Sequence, residues 1–143
     1  MQKWRFQGSL NWFLKIYCFG LIYACFAQLA LQKLGADGSV WGYCPGWQRE
    51  IGFWNIGLIV ILIQVILWGD LTVKMYIARA LVLLSLLFGT NHLVAVLETG
   101  NYKLYAHMGG AIENYFAVCW GGFLVIVFQL TKGQRAARKT TGL

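Results

Sequence analysis

Proline is nearly missing from these 143 residues: the one copy, Pro45, sits in a polar stretch, so no proline interrupts the long apolar runs. Charge is scarce as well. Only 12% of the residues are charged and only five are acidic, so the runs have no outward polar face of the kind a soluble helical bundle needs. Between Ile56 and Trp68 the single polar side chain is Gln64. The runs also lack the strict alternation of transmembrane strands, which excludes a β-barrel. The four cysteines form no CxxC pair, which removes zinc knuckles and thioredoxin-like sites. There is no Gly-rich phosphate loop, nucleophile elbow, metalloprotease motif or pair of carboxylates on one face, and conventional catalysis is left without a carrier.

What the chain has is apolar length. Fifty-nine per cent of it is apolar, and the mean hydropathy is +0.59. A bilayer's hydrocarbon core takes about 20 helical residues to cross. Four stretches qualify: Leu10 to Leu31, Gly52 to Gly69, Met75 to Leu97 and Ile112 to Thr131. The connections between them are too short for a separate soluble domain. The expected fold is therefore all-α, an antiparallel bundle of four transmembrane helices forming one membrane domain over residues 1–143. Lys15 and Gln28 interrupt the first span and no small-x-small cleavage site follows it, so it reads as an anchor rather than a cleaved signal.

The formal charge of +7 comes from residues at span ends, not from a basic face interleaved with stacking aromatics, so nucleic acid is not an expected partner. Lys3, Arg5, Lys74, Arg79, Lys132, Arg135, Arg138 and Lys139 flank one side of the predicted topology, against Lys33, Arg49 and Lys103 on the other. By the positive-inside rule both termini are cytoplasmic. A bacterial inner membrane or a thylakoid-type membrane is the expected location.

Small residues at four-residue spacing mark where helices approach closely: Gly20 with Ala24, Ser85 with Gly89, and the Gly121-Gly122 pair, which allows close packing or a kink. Cys18 and Cys25 share a face with Leu14 and Leu21 and read as small packing residues. From Trp41 to Glu50 the chain is expected as an aromatic flap on the membrane surface, with the boundary of the second span at Glu50/Ile51. A turn is expected at Gly35, Asp37 and Gly38, and a Gly109-Gly110 hinge in the third loop.

The run Pro45-Gly46-Trp47-Gln48-Arg49-Glu50-Ile51-Gly52-Phe53-Trp54-Asn55-Ile56-Gly57 is similar to the segment that opens the second helix in small, uncharacterised bacterial four-helix membrane proteins, loosely resembling the DoxX-like group. Gln48, Glu50, Gly52, Phe53, Asn55 and Gly57 carry the match, and Gly89-Thr90-Asn91-His92 resembles a Gly-x-x-His step late in the third helix. Trp54 departs from the pattern, where a small residue is usual, as do Glu113 and Asn114. The resemblance implies the four-helix architecture. It also supplies the only reason to name quinone-dependent redox chemistry.

The expected topology gathers Glu50, Asn55, Asn91, His92, Glu98, Glu113 and Asn114 in one polar layer, with His107 hanging over it in a loop. Ionisable groups at that depth cost about 2.5–3.5 kcal/mol on insertion scales and face the bundle interior or a partner. Three readings of the layer stay open. Its members cap helices and pair with Arg49 and Lys103; or His92, His107 and Glu98 hold a divalent metal, although no HxxxH or ExxH pair puts two ligands on one face. In the third reading the layer is a pocket for a quinone or pigment, with Asn55, Asn91 and His92 as donors, Glu113 and Asn114 beside them, and Trp54 as a wall. At the level of function, the first expectation is a non-catalytic membrane subunit packing against larger subunits, in a respiratory, photosynthetic or other redox assembly, or in a homo-oligomer. The alternative is a small quinone- or metal-binding membrane oxidoreductase.

Overall fold

The computed structural model describes the backbone of residues 2–140 and the side chains of residues 6–131 and 133. It contains five helices in chain order: α1 (Gln2–Ala30), α2 (Gln32–Asp37), α3 (Pro45–Trp68), α4 (Leu71–Thr99) and α5 (Tyr105–Thr140). Four of them hold stretches long and apolar enough to cross a bilayer: Phe6–Ala30, Pro45–Trp68, Leu71–Thr99 and Tyr105–Thr131. This is an all-α, four-helix membrane bundle of a multi-pass protein. Large apolar side chains such as Phe19, Leu67, Trp68, Phe116 and Phe123 point outward, as lipid-facing positions do. Of the basic residues behind the topology expectation, the side chains of Lys3, Arg5, Lys132, Arg135, Arg138 and Lys139 lie outside the described residues.

Every spanning helix starts earlier than hydropathy alone indicates. Pro45 occupies the first turn of α3, where its fixed φ suits the helix and its missing N–H is not needed. Trp47 to Glu50 are therefore helical, and the expected flap shrinks to the segment before Pro45. Asp70 caps α4 by accepting a hydrogen bond from the Val73 amide at 2.8 Å. Gly100 closes α4 in the left-handed conformation (φ 60°). The expected turn at Gly35 and Asp37 is instead part of the one-and-a-half-turn helix α2, and the Gly109-Gly110 hinge is regular helix inside α5.

Short connections make successive spans antiparallel. One end of the bundle, here the tail end, carries the chain termini and the Gly69-Asp70 junction; the loop end carries α2, the strap from Gly38 to Cys44, and the α4–α5 connection. The helices form two hairpins, α1 on α3 and α4 on α5. α1 joins them by touching α4 and α5, while α3 meets α4 only sparsely.

The apolar core sits in the tail half: Leu10, Phe13, Leu14, Leu62, Val65, Met75, Ala78, Leu81 and Leu124 are all buried. Phe13 stacks edge-on against Trp120 at 5.6 Å, and Gly121 makes the room. A Cβ on Gly121 would fall 2.6 Å from Phe13 and Val82 side-chain atoms, so this glycine is a true contact point, whereas Gly122 has nothing within 4 Å and packs no neighbour. Lys74 ends the core by bonding to Asn11 Oδ1 (2.9 Å) and to the Ile66 carbonyl (3.2 Å).

Candidate functional site

The loop half is built from different residues. Its buried apolar side chains are the small ones, Ala95, Val96 and Ala111, beside a fully buried histidine, His107. His107 is in the first turn of α5, not in a loop, and it faces His92 on α4 with Nδ1 to Nδ1 at 3.0 Å. Gly110 permits this meeting, since a Cβ there would lie 2.6 Å from the His92 ring.

The hydrogen bonds fix both tautomers. His107 Nε2 lies 3.0 Å from the Val40 backbone nitrogen and 3.1 Å from Ser39 Oγ. A backbone N–H only donates, so Nε2 accepts and the His107 proton sits on Nδ1. That proton goes to His92 Nδ1, which leaves the His92 N–H on Nε2, next to Gly110. The result is a one-way chain from the strap amide through two neutral imidazoles.

Trp41 completes the cluster. Its ring lies 5.0 Å from His92 and stands edge-on to His107 at 4.5 Å, while Trp47 meets it edge-on at 6.4 Å. The strap is further held by Ser39 Oγ accepting from the Trp41 amide and by the Gly38 carbonyl accepting from the Ala106 amide. Tyr105 donates to the Leu34 carbonyl and packs its ring on Gly38, where no side chain fits.

Beneath this strap lies a cavity of about 320 Å³. His92, His107, Trp41 and Trp47 border one side, Gln28 and Gln48 another, and Tyr23, Ala24 and Ala27 of α1 extend it into the membrane-spanning part. Two polar atoms in the lining residues are buried without a partner: Oε1 of Gln28 and Oε1 of Gln48. Gln48 Nε2 donates to the Gln32 carbonyl at 3.1 Å, which settles that its other amide atom is the oxygen. Such orphaned acceptors are rare in proteins.

The expected polar layer is therefore only partly real. His92 and His107 come together. Asn91 and Glu98 are exposed, and Asn55 is half-buried away from the cavity lining. Trp54, expected as a wall, faces outward at 69% exposure; with Glu50, Phe53 and Gly57 it edges a separate shallow hollow lined by α3 alone. Asn114 bonds within its own helix to the Gly110 carbonyl (2.8 Å), and a Cβ on Gly89 would meet it at 3.2 Å. Glu113 lies against Gly20 of α1, where a Cβ would come within 2.7 Å of its carboxylate. Among the described residues no group of three or more His, Cys, Asp or Glu is placed to hold a metal, and the facing nitrogens of the two histidines are spent on each other. The pairs expected to pack helices divide in the same way: Ala24 lines the cavity, and Ser85 is fully buried and hydrogen-bonded to Tyr17 Oη at 3.0 Å.

Sequence reasoning missed Ser39, Val40 and Trp41 as partners of the histidines, and Gln28 as a cavity residue. The one available signal was Gln28 itself, a long polar side chain inside an apolar run. Gly52, in the matched run, has a physical reason: Leu29 packs where its side chain would be, and Cys25 Sγ–H reaches its carbonyl at 3.5 Å.

No family model matches the chain, and no curated protein or solved structure was found to match it. The likeness to small DoxX-like membrane proteins thus rests on the quoted residues alone.

Proposed function

We propose that this is a ligand-binding membrane protein whose site is the loop-end cavity, with the Gly38 to Cys44 strap as its cover. One observation carries the reading: a cavity of about 320 Å³ lies under the strap, walled on one side by a hydrogen-bonded histidine pair with Trp41 and Trp47 and on another by Gln28 and Gln48. Its volume is at the lower end of the usual range for small-molecule sites, about 300–1,000 Å³, and its aromatic walls suit an amphipathic molecule. The excess of basic residues on the tail side supports placing both termini in the cytoplasm and the cavity toward the outer face of a bacterial membrane.

Native mass spectrometry of the chain, extracted in a gentle detergent, tests this directly. The expected result is a bound small molecule that disappears in Trp41→Ala. A chain that never carries one, with Trp41→Ala indistinguishable from it, sinks the proposal.

A second reading, a subunit of a larger membrane assembly or a homo-oligomer, is favoured by Glu113. Its side chain is exposed about 12 Å inside the span that begins at Tyr105, taking 1.5 Å per residue. Its carboxylate lies against Gly20 of α1 with the side chain still exposed, and an ionisable group at that depth is costly and calls for a partner. Under this reading Glu113→Leu dissociates a complex seen on native-size separation and leaves any bound small molecule in place.

A further inference from the structure

We infer that the His92 and His107 pair is a proton-operated latch: it holds the Gly38 to Cys44 strap closed over the cavity while both imidazoles are neutral, and releases it when the pair takes up a proton. This rests on reading the cavity as a ligand site and adds the condition that opens it.

In the closed form four ring nitrogens share two protons, and both bare nitrogens are in use. Nε2 of His107 accepts from the Val40 amide at 3.0 Å, and Nδ1 of His92 accepts from His107 Nδ1 at 3.0 Å. A third proton leaves one nitrogen bare. If that one is His107 Nε2, the two Nδ1 atoms both carry protons and face each other as donor against donor. With any other nitrogen bare, His107 Nε2–H meets the Val40 N–H and the strap bond is lost. Ser39 Oγ, 3.1 Å from Nε2, is the acceptor then within reach, and turning to it leaves the Val40 amide unpaired. No placement of a third proton keeps both bonds.

No neighbouring charge offsets the gain. Tyr23 of α1, Tyr105 of α5 and Cys44 of the strap are the other titratable groups bordering the cavity, and no Asp, Glu, Lys or Arg borders it. Lys33 and Asp37 of α2, Arg49 and Glu50 of α3, Glu98 of α4 and Lys103 after it are exposed and outside the lining. A charged imidazole in the closed form is therefore buried without a counter-charge. The cover over it is thin: residues 40–44 are all exposed, while His107 behind them is fully buried. Both ends of the strap are fixed, by the Gly38 carbonyl on the Ala106 amide and by Pro45 in the first turn of α3, which confines the movement to the segment between them. Trp41, edge-on to His107 at 4.5 Å and part of the cavity wall, moves with it. Once Ser39 and Val40 lift off Nε2, the imidazole meets water and takes a proton in its ordinary range, around pH 6.5. Opening takes up protons, so the closed strap has its full stability above that range and loses it as pH falls through it.

The test is fluorine NMR of the full chain in phosphatidylcholine nanodiscs, with fluorotryptophan in place of tryptophan and the Trp41 signal assigned by its loss in Trp41→Phe. The Trp120 signal, from the tail core, reports that each form stays folded. Between pH 7.5 and pH 5.5 the ratio of open to closed strap is expected to rise about tenfold for one proton taken up. His107→Gln places an acceptor that does not titrate near the position of Nε2 and is expected to hold the closed signal at both pH values. His107→Phe has no acceptor and is expected to show a larger open share already at pH 7.5. The chain has two histidines, so imidazole nitrogen shifts on the same samples identify the titrating group. They are expected to pass from neutral to charged in step with Trp41. A Trp41 signal that does not respond to pH overturns the inference. So does the same response in His107→Gln, or histidines that stay neutral while Trp41 responds, since either assigns the titration to another group. No ligand is added, so a failed latch leaves the ligand-site reading to native mass spectrometry, and a chain that carries no small molecule leaves the latch to this measurement.

Discussion

In the tail half, Leu10, Phe13, Leu14, Leu62, Met75 and Leu124 interlock until almost none of their surface remains exposed; in the loop half the same four helices surround a cavity with alanines, amides and imidazoles. The tail half is held by dispersion and by the shape fit at Gly121. The loop half is held by directed bonds, Val40 to His107 to His92, by Tyr105 to Leu34, and by the strap that they pin down. Large apolar side chains are exposed outside the bundle in both halves, so they do not distinguish the two. The difference is in what fills the middle, and it separates a part closed by apolar packing from a part built around a cavity.

The largest test of that contrast is Phe13→Ala. Phe13 is 2% exposed and packs against Trp120, so truncation opens a hole in a region with little means of collapse. The expected loss is about 3 kcal/mol, the lower end for buried Phe to Ala, measured by reversible unfolding in bicelles. A loss under about 1 kcal/mol would erase the distinction between the halves.

Next come two identical insertions placed in the two halves. Gly121→Ala and Gly110→Ala each put a Cβ about 2.6 Å from a ring, Phe13 in one case and His92 in the other. Overpacking of a filled core costs about 1–3 kcal/mol, and Gly121→Ala is expected near the middle of that range. His92 has a cavity beside it, so Gly110→Ala is expected to cost less than half as much while separating the two imidazoles. Imidazole nitrogen shifts in solid-state NMR would report the lost Nδ1 to Nδ1 bond. Equal costs for the two variants would mean that the loop half is as tightly packed as the tail.

A smaller effect is expected from His107→Phe, which keeps an aromatic ring and removes both nitrogens. The strap then loses its anchor at Val40, and that amide loses its acceptor. Hydrogen exchange at the Val40 amide should accelerate about tenfold, as for a lost bond near 1.4 kcal/mol, with exchange in the core of α1 unchanged. Unchanged exchange at Val40 would show that the strap is held by Tyr105 and Gly38 alone.

The sequence carried the fold because long apolar runs have few other uses, and the five acidic residues left no alternative packing. Helix starts were harder to place: Pro45 and Asp70 are a helix breaker and a charge that read as loop, although each suits a first turn. The site was half legible. His92 stood out as an ionisable group inside a span, but its partner His107 lies fifteen residues away across a connection whose geometry no spacing rule gives. Trp54 and Asn55 drew attention through the quoted motif, yet α3 turns Trp54 away from the bundle. Trp41, one of several aromatics in the strap, became a site residue only through the bonds that fold the strap inward.

The smallest expected change tests the comparison from its other side. Gln28→Leu removes a polar side chain whose amide oxygen is buried and without a partner. In the tail half, replacing a core side chain costs stability because every contact is occupied. At Gln28 the protein already bears the desolvation of an unmet acceptor, which a leucine of similar volume removes, so stability should stay within about 0.5 kcal/mol of the parent or rise. The same bicelle unfolding measurement reads it. A loss above about 2 kcal/mol would mean that Gln28 is already paired in the membrane-embedded protein, by water or by a retained ligand, because only a satisfied buried amide is that expensive to delete.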